Sequence, residues 1–330
     1  MESLGSAVIV FVISASFVIA AGIGLARYGD DLAESTGWGK LWVGTLLVGI
    51  ATSLPEVTVN ISAVWLEKSP GLALGNVFGA DMMNVLVLGC VGLAFGIGNL
   101  FGGQGRDTEL LILVGMGLVA LALVFGIAGD VKLGPTSLGT VLILAGYLAG
   151  MRLVYKAGQT HMHLQDVPAP TGRARKAWIG FGVSVAVVIV AGRFLAMSAD
   201  RIAEISGISA SFIGVLLVSI VTTLPEGSVT VAATLRRSYG IAMGNVYGSN
   251  AFNVTILFFS DLFSDVPLLG QMEGAHYAAA LAALALMGMG YLVWKGVQRP
   301  VYAWARALAP AVPVVYVGAL YVVYALAQSA

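Results

Sequence analysis

The chain has 330 residues with 17 basic and 17 acidic side chains, so its formal net charge is zero. Of its residues, 10% are charged and 58% are hydrophobic, whereas a soluble domain carries roughly 25% charged residues. This excludes an ordinary soluble domain and predicts a polytopic membrane protein surrounded by the lipid bilayer. A neutral chain without a basic stripe is not expected to bind nucleic acid. The single cysteine, Cys90, excludes a disulfide framework.

Ten apolar runs are long enough to cross a bilayer as helices. They cover approximately residues 6–26, 41–65, 71–98, 109–128, 136–154, 178–197, 212–234, 241–262, 275–294 and 307–327. No basic residue precedes the first run, so we predict a retained helix there and not a cleaved signal peptide. The expected fold is all-α, with ten transmembrane helices.

The polar stretch 155–177 predicts a linker between a first five-helix unit, 1–154, and a second, 178–330. When the sides of the membrane are numbered alternately, 4 of the 17 basic residues fall on the side of the N-terminus and 13 on the other. Basic residues stay in the cytoplasm. The chain is therefore predicted to lie in the inner or plasma membrane with both termini outside and the linker inside.

The chain contains an internal repeat. Residues 52–56, TSLPE, reappear as TTLPE at 222–226, and ALGNVFG at 73–79 reappears as AMGNVYG at 242–248. Each half has five predicted spans, an odd number, so the second copy enters the membrane from the opposite side. Inverted repeats place a binding site at their interface near the bilayer midplane. The repeat therefore predicts a transporter that works by alternating access.

Each copy carries one glutamate, Glu56 or Glu226, about fifteen residues into its span. A carboxylate at this depth is costly unless it faces a partner or a wet cavity. No Lys or Arg lies at matching depth in these helices, so a cation that enters and leaves is the natural partner. The alternative is a protonated structural glutamate bonded to a neighbouring helix.

Oxygen ligands surround each glutamate in the sequence. The proline before it frees a backbone carbonyl about one turn back, and the hydroxyl residues share its helical face. Those residues are Thr52, Ser53, Thr222 and Thr223. Hydroxyl and carbonyl oxygens suit sodium and calcium, and the amides of Asn84 and Asn253 can complete the shell. The alternative for each threonine is a hydrogen bond to its own helix.

These motifs resemble the alpha repeats of the sodium/calcium exchanger family, within the calcium/cation antiporter superfamily, over about 45–95 and 215–262. The resemblance implies exchange of Ca²⁺ against Na⁺, with Glu56 and Glu226 as the central calcium ligands, helped by Thr52 and Thr222. The sodium sites that it implies are formed by Ser53, Thr223, Asn84, Ser249 and Asn253. It implies Ca²⁺ and Na⁺ as the transported ions. We expect no organic cofactor, no enzymatic activity and no obligate protein partner.

The first copy departs from the family pattern, because Gly79-Ala80-Asp81 stands where the second copy has Gly-Ser-Asn. A hydroxyl is missing at Ala80, and Asp81 adds a carboxylate three residues before Asn84. Asp81 is therefore a candidate site for a coupling ion or a proton, unless it lies solvated at the helix end. A proton-coupled antiporter for Ca²⁺ or another divalent cation stays open. A remote alternative is an intramembrane enzyme that uses the glutamates as acid and base.

Overall fold

The structure is a computed structural model that describes residues 3–66, 68–162, 171–206 and 220–329. The first half contains α1 (Leu4–Thr36), α2 (Lys40–Trp42), a π-helical segment (Val43–Val48), α3 (Gly49–Thr52), α4 (Leu54–Trp65), α5 (Pro70–Phe95), α6 (Ile97–Phe101), α7 (Arg106–Ala128), β1 (Lys132–Leu133), β2 (Thr136–Ser137) and α8 (Leu138–Met162). The second half contains α9 (Thr171–Ser206), α10 (Leu224–Leu235), α11 (Tyr239–Asp261), α12 (Gly274–Gln298), α13 (Ala311–Ser329) and 3₁₀ turns at Leu269–Gln271 and Pro300–Leu308.

The molecule is a helical membrane protein, as its composition predicts. Within the described ranges, seven helices are long and apolar enough to cross a membrane, namely α1, α5, α7, α8, α9, α12 and α13. An eighth span is formed if Lys40–Thr52 and Leu54–Trp65, which meet at a bend of 42°, are counted together. The antiparallel pair β1–β2 is a two-residue exception to the predicted all-α fold.

The count of ten spans stays a prediction. The predicted span 212–234 begins among residues 207–219, which lie outside the described ranges. The predicted span 241–262 is the 23-residue helix α11, but the asparagines at 245, 250 and 253 lower its hydropathy, and it is absent from the apolar set. Length alone would allow α11 to cross the bilayer.

The ends of the long helices enter the predicted linker. Residues 155–162 belong to α8 and residues 171–177 to α9, whereas 163–170 lie outside the described ranges. Helices α1, with 33 residues, and α9, with 36, are longer than their predicted spans and pack along each other. Their charged ends account for the extra length, since a helix can continue beyond the bilayer where its side chains are polar. The division into two units stays a prediction.

The two copies of the repeat have the same local structure. Each helix breaks before a Leu-Pro pair, at Ser53 in the first copy and at Thr223 in the second, and restarts as α4 or α10. Each then turns a corner on a residue with left-handed backbone, Lys68 with φ 52° and Arg237 with φ 58°. No other non-glycine residue in the described ranges has positive φ.

Helix α11 lies at the centre and contacts helices from both halves of the chain. It approaches the π-helical segment so closely that a Cβ added at Gly248 would lie 2.7 Å from Thr45 Cα. Small residues permit such close helix crossings in membranes. The glycine-rich segment of the repeat thus brings the polar side of α11 against α3 and α4 of the first copy.

Candidate functional site

The two repeated glutamates lie at equivalent helix starts in the protein interior. Glu56 is in the first turn of α4 and Glu226 in the first turn of α10, and each is 1% exposed. Neither takes part in an ion pair between described residues. The partial positive charge of a helix N-terminus favours a carboxylate there, but it does not replace a full counter-charge.

One hydroxyl connects the two copies at the glutamates. Ser53 Oγ, from the first copy, donates to Glu226 Oε1 at 3.3 Å. Both carboxylate oxygens of Glu56 and Oε2 of Glu226 are buried without a hydrogen-bond partner among the described residues. Burying an unpartnered carboxylate oxygen is expensive. These three oxygens are therefore available as ligands for a cation.

A second group of oxygens joins α3 to α11. The Thr52 hydroxyl lies 3.1 Å from the Gly49 carbonyl of its own helix and 3.2 Å from Asn245 Oδ1, either of which can accept its proton, and 3.4 Å from Ser249 Oγ. Ser249 Oγ also donates to the Gly49 carbonyl at 3.1 Å. The Gly49 carbonyl is the own-helix acceptor that was given as the alternative for Thr52. The other contacts of this hydroxyl cross to the second copy. Thr222 and Thr223 are also buried.

Helices α5 and α11 are joined by a reciprocal pair of amide bonds. Asn84 Nδ2 donates to Asn250 Oδ1 at 2.9 Å, and Asn253 Nδ2 donates to Asp81 Oδ1 at 3.2 Å. Asn84 corresponds to Asn253 in the repeat, and Asp81 corresponds to Asn250. Exchanging the two copies therefore converts the first of these hydrogen bonds into the second. The remaining side-chain oxygens, Asn84 Oδ1, Asn253 Oδ1 and Asp81 Oδ2, are buried without partners within the described ranges.

Asp81 does not occupy the solvated helix end that the sequence left open as an alternative. It is 0% exposed, so a solvated position at the helix end is wrong. Asp81 and the two glutamates do not form one metal-binding group of three acidic side chains, since no such group occurs in the described part of the chain. Asp81 is instead turned toward α11, where Asn253 binds its side chain and Asn250 Nδ2 donates to its carbonyl at 3.3 Å.

Two further polar positions of the repeat lie beside the glutamates, and one of them, Asn60 with its counterpart Thr230, was missed in the sequence. Asn245 Nδ2 donates to the Glu226 carbonyl and to Thr230 Oγ1, both at 3.1 Å, and so fixes the interrupted backbone at the start of α10. The corresponding residues of the first copy, Asn76 and Asn60, are buried, and their amide atoms lack partners among described residues. The available signal was spacing, since Asn60 and Thr230 each follow their glutamate by four residues, one helical turn.

The assembled donors are carboxylate, hydroxyl, amide and carbonyl oxygens. Such hard ligands suit calcium and sodium and do not select for soft transition metals. Among the nine predicted ligands, Ser53 contacts Glu226, Thr52 contacts Ser249, and Asn84 and Asn253 lie at the α5–α11 crossing.

Comparison with known proteins supports this chemistry. The family model described as sodium/calcium exchanger protein matches residues 6–156 and 176–329. The inner membrane protein YrbG of Escherichia coli strain K12 is 26% identical over 284 residues, which cover 82% of this chain and 83% of YrbG. The sodium/calcium exchanger MaX1 of Methanosarcina acetivorans is 25% identical over 315 residues, covering 81% of this chain and 88% of MaX1.

The fold is also that of a solved structure. The sodium-calcium exchanger NCX_Mj, soaked with 100 mM Na⁺ and 10 mM Sr²⁺, superposes with a TM-score of 0.74 over 97% of this chain and 99% of that one. The sequences are 22% identical. This likeness establishes a common fold for the two chains.

Proposed function

The chain belongs to the sodium/calcium exchanger protein family, and we propose that it is a secondary-active antiporter that exchanges Ca²⁺ against Na⁺ across the inner or plasma membrane. The observation that carries this proposal is the pair of buried glutamates, one from each copy, with three unpartnered carboxylate oxygens among the described residues. Members of this family are transporters, so the burial of the two glutamates does not require that they act as the acid and base of an enzyme.

Charge balance supports exchange at a shared site. Glu56 and Glu226 together carry two negative charges when ionised, which one Ca²⁺ or two Na⁺ neutralise. Because the same carboxylates would serve both ions, loading of one ion excludes the other, which is the requirement for antiport. Thr52 and Thr222 contribute hydroxyl or backbone carbonyl oxygens to the calcium ion in this proposal.

The flanking oxygens are assigned to sodium. Ser53, Thr223, Asn84, Ser249 and Asn253 form the proposed sodium ligands. Their support is that Thr223 Oγ1, Asn84 Oδ1 and Asn253 Oδ1 are buried without partners in the described ranges. Ala80 offers no hydroxyl at the position where the second copy has Ser249, so the two copies do not provide equivalent sodium shells.

We propose that the two copies exchange their hydrogen-bonding patterns when the transporter changes from one facing state to the other. Asn245 is bonded to the Glu226 carbonyl and to Thr230, whereas Asn76 and Asn60 lack partners among described residues. In the opposite-facing state we expect Asn76 to bond the Glu56 carbonyl and Asn60, and the bonds of Asn245 to open. The reciprocal α5–α11 contacts support an inverted arrangement of two five-helix units, since their residue numbers run in opposite directions along the two helices.

Proton coupling is the second candidate. Its specific support is Asp81, a fully buried carboxylate with one oxygen bound by Asn253 and the other without a partner in the described ranges. A carboxylate that alternates between a proton and a cation can couple calcium movement to a pH gradient. Asp81 stands beside Ala80, where a sodium-binding hydroxyl is missing.

The coupling ion is tested with the purified protein in proteoliposomes. Calcium uptake is measured with outward gradients of sodium, potassium or protons, imposed one at a time at clamped membrane potential. We expect the sodium gradient to drive uptake and the potassium gradient to have no effect. Uptake driven only by the proton gradient would replace sodium coupling by proton coupling, and no uptake under any gradient would refute calcium antiport.

The proposed orientation places both termini outside and the 155–177 linker in the cytoplasm. It rests on the asymmetry of the basic residues. In a Cys90→Ala background, a cysteine introduced at Gln165 should react with an impermeant reagent only when the cytoplasmic face is accessible. A cysteine at Ser69 should react from outside, and the reverse labelling pattern would refute the orientation.

A further inference from the structure

Basic side chains surround a cavity between the charged ends of α1 and α9. The cavity has a volume of about 590 Å³, and its polar lining consists of Arg27, Tyr28, Asp31, Arg173, Lys176 and Arg236. These cations belong to the set assigned to the cytoplasmic side by the distribution of positive charge. The cavity therefore lies at the predicted cytoplasmic end of the two longest helices.

A second cavity of about 670 Å³ adjoins the first and shares Tyr28 and Lys176 with it. Its basic end carries Arg175, and its other lining residues include Ile179 and Val183 of α9. Ile179 is 57% exposed and Val183 59% exposed. The two cavities thus form one groove with a cationic end and an apolar end that follows the outer surface of α9 into the predicted bilayer.

The cationic end has more positive charge than its acidic neighbours neutralise. Arg173 pairs with Asp31 at 3.2 Å and with Glu34 at 3.3 Å. Arg236 pairs with Asp30 at 3.4 Å, but Lys40 is bound to the same carboxylate at 2.6 Å. Three further cations in the groove take part in none of the ion pairs between described residues, namely Arg27, Arg175 and Lys176.

We propose that this groove binds an anionic phospholipid, with its phosphate at Arg27 and Lys176 and one acyl chain along Ile179 and Val183. Guanidinium and ammonium groups together suit a phosphate oxyanion, and basic pockets between transmembrane helices suit anionic headgroups. The apolar end selects a lipid over a soluble phosphate, since a free ion has nothing to place there.

A lipid in this groove would contact three parts of the fold. It would touch α1 through Arg27, α9 through Lys176, and the corner after α10 through Arg236. Arg236 lies beside Asp30, which also accepts a hydrogen bond from Ser238 Oγ at 2.7 Å and pairs with Lys40. A bound headgroup would compete with Asp30 for Arg236 and so act on the contact between α1 and the repeat helices.

The test is lipid binding to the full-length protein, measured by native mass spectrometry in neutral detergent. Dioleoyl phosphatidylglycerol is the anionic probe, dioleoyl phosphatidylcholine is the zwitterionic one, and inorganic phosphate is added as a competitor. We expect binding of phosphatidylglycerol to be roughly tenfold tighter than that of phosphatidylcholine, and millimolar phosphate to leave it unchanged. Equal binding of the two lipids by the unmodified protein would overturn the proposal without any variant.

A matched pair of variants locates the site. Arg27→Gln with Lys176→Gln should remove most of the preference for phosphatidylglycerol. Arg152→Gln with Arg299→Gln removes two exposed cations from the same predicted side, and it should retain the preference. Equal loss in both double variants would indicate unspecific surface charge, and competition by phosphate would indicate a soluble anion site; either result refutes lipid binding in the groove. None of these outcomes depends on which ion the protein transports.

Discussion

The first copy of the repeat leaves its buried amides at Asn60 and Asn76 without partners in the described ranges, whereas the second copy connects the same positions. There, Asn245 joins the Glu226 carbonyl to Thr230. The helix break and the left-handed corner are nevertheless the same in both copies. One motif therefore adopts one backbone and two hydrogen-bonding states in the same molecule, and the proposed exchange of roles between the copies starts from this difference.

The largest effect is expected from removing either glutamate charge. Glu56→Gln and Glu226→Gln should each lower calcium uptake by roughly 100-fold or more, which corresponds to about 2.7 kcal/mol of lost ion binding. Glu109→Gln is the control, because Glu109 is half-buried and binds Tyr291 and Lys295 outside the site. If only one of the two site variants lost uptake in proteoliposomes, the copies would not share the ion.

Close packing of the second copy is tested at Gly248. A Cβ there would lie 2.7 Å from Thr45 Cα, so Gly248→Ala should destabilise the protein by about 1–3 kcal/mol through overpacking. Thermal unfolding in detergent measures this effect. Gly117→Ala is the matched control, since no atom lies within 4 Å of a Cβ at Gly117. Equal midpoints for the two variants would show that the approach of α11 does not constrain the second copy.

The two hydrogen-bonding states are distinguished by Asn245→Ala and Asn76→Ala. Loss of the Asn245 bonds should destabilise the state described here by about 1–3 kcal/mol, whereas Asn76→Ala should leave it nearly unchanged. Accessibility of an introduced cysteine from each side, in ion-free buffer and a Cys90→Ala background, should then shift in opposite directions. Shifts in the same direction would contradict an exchange of roles between the copies.

The smallest effect is expected from making the first copy resemble the second. Ala80→Ser with Asp81→Asn recreates the Ser249-Asn250 pair, and we expect a few-fold stronger dependence of calcium uptake on sodium. Asp81→Asn alone should weaken any response of uptake to a pH gradient. Unchanged sodium and pH responses in these variants would make Asp81 a structural residue of the α5–α11 crossing.

The sequence predicted the features that depend on one helix at a time. The repeat identified the glutamates, and the proline before each of them indicated where a helix would lose a backbone hydrogen bond. The apolar run at 241–262 also identified α11 as a helix although its asparagines lower its hydropathy. All of these follow from order and spacing along the chain.

The contacts between copies could not be predicted in the same way. The helical period places Asp81 and Asn84 on nearly the same side of α5, but it does not reveal that α11 crosses there and buries both. The bonds from Asn84 to Asn250 and from Asn253 to Asp81 depend on that crossing. The lengths of α1 and α9 were also missed, because a helix that leaves the bilayer loses its apolar signal.

Both copies are proposed to build one calcium site, and calcium binding to the purified protein tests whether they share the ion. Isothermal titration in sodium-free buffer should give one Ca²⁺ per chain, with sodium displacing it and with binding lost in both Glu56→Gln and Glu226→Gln. Two calcium ions per chain, or a single glutamate variant that still binds calcium with wild-type affinity, would contradict a shared site.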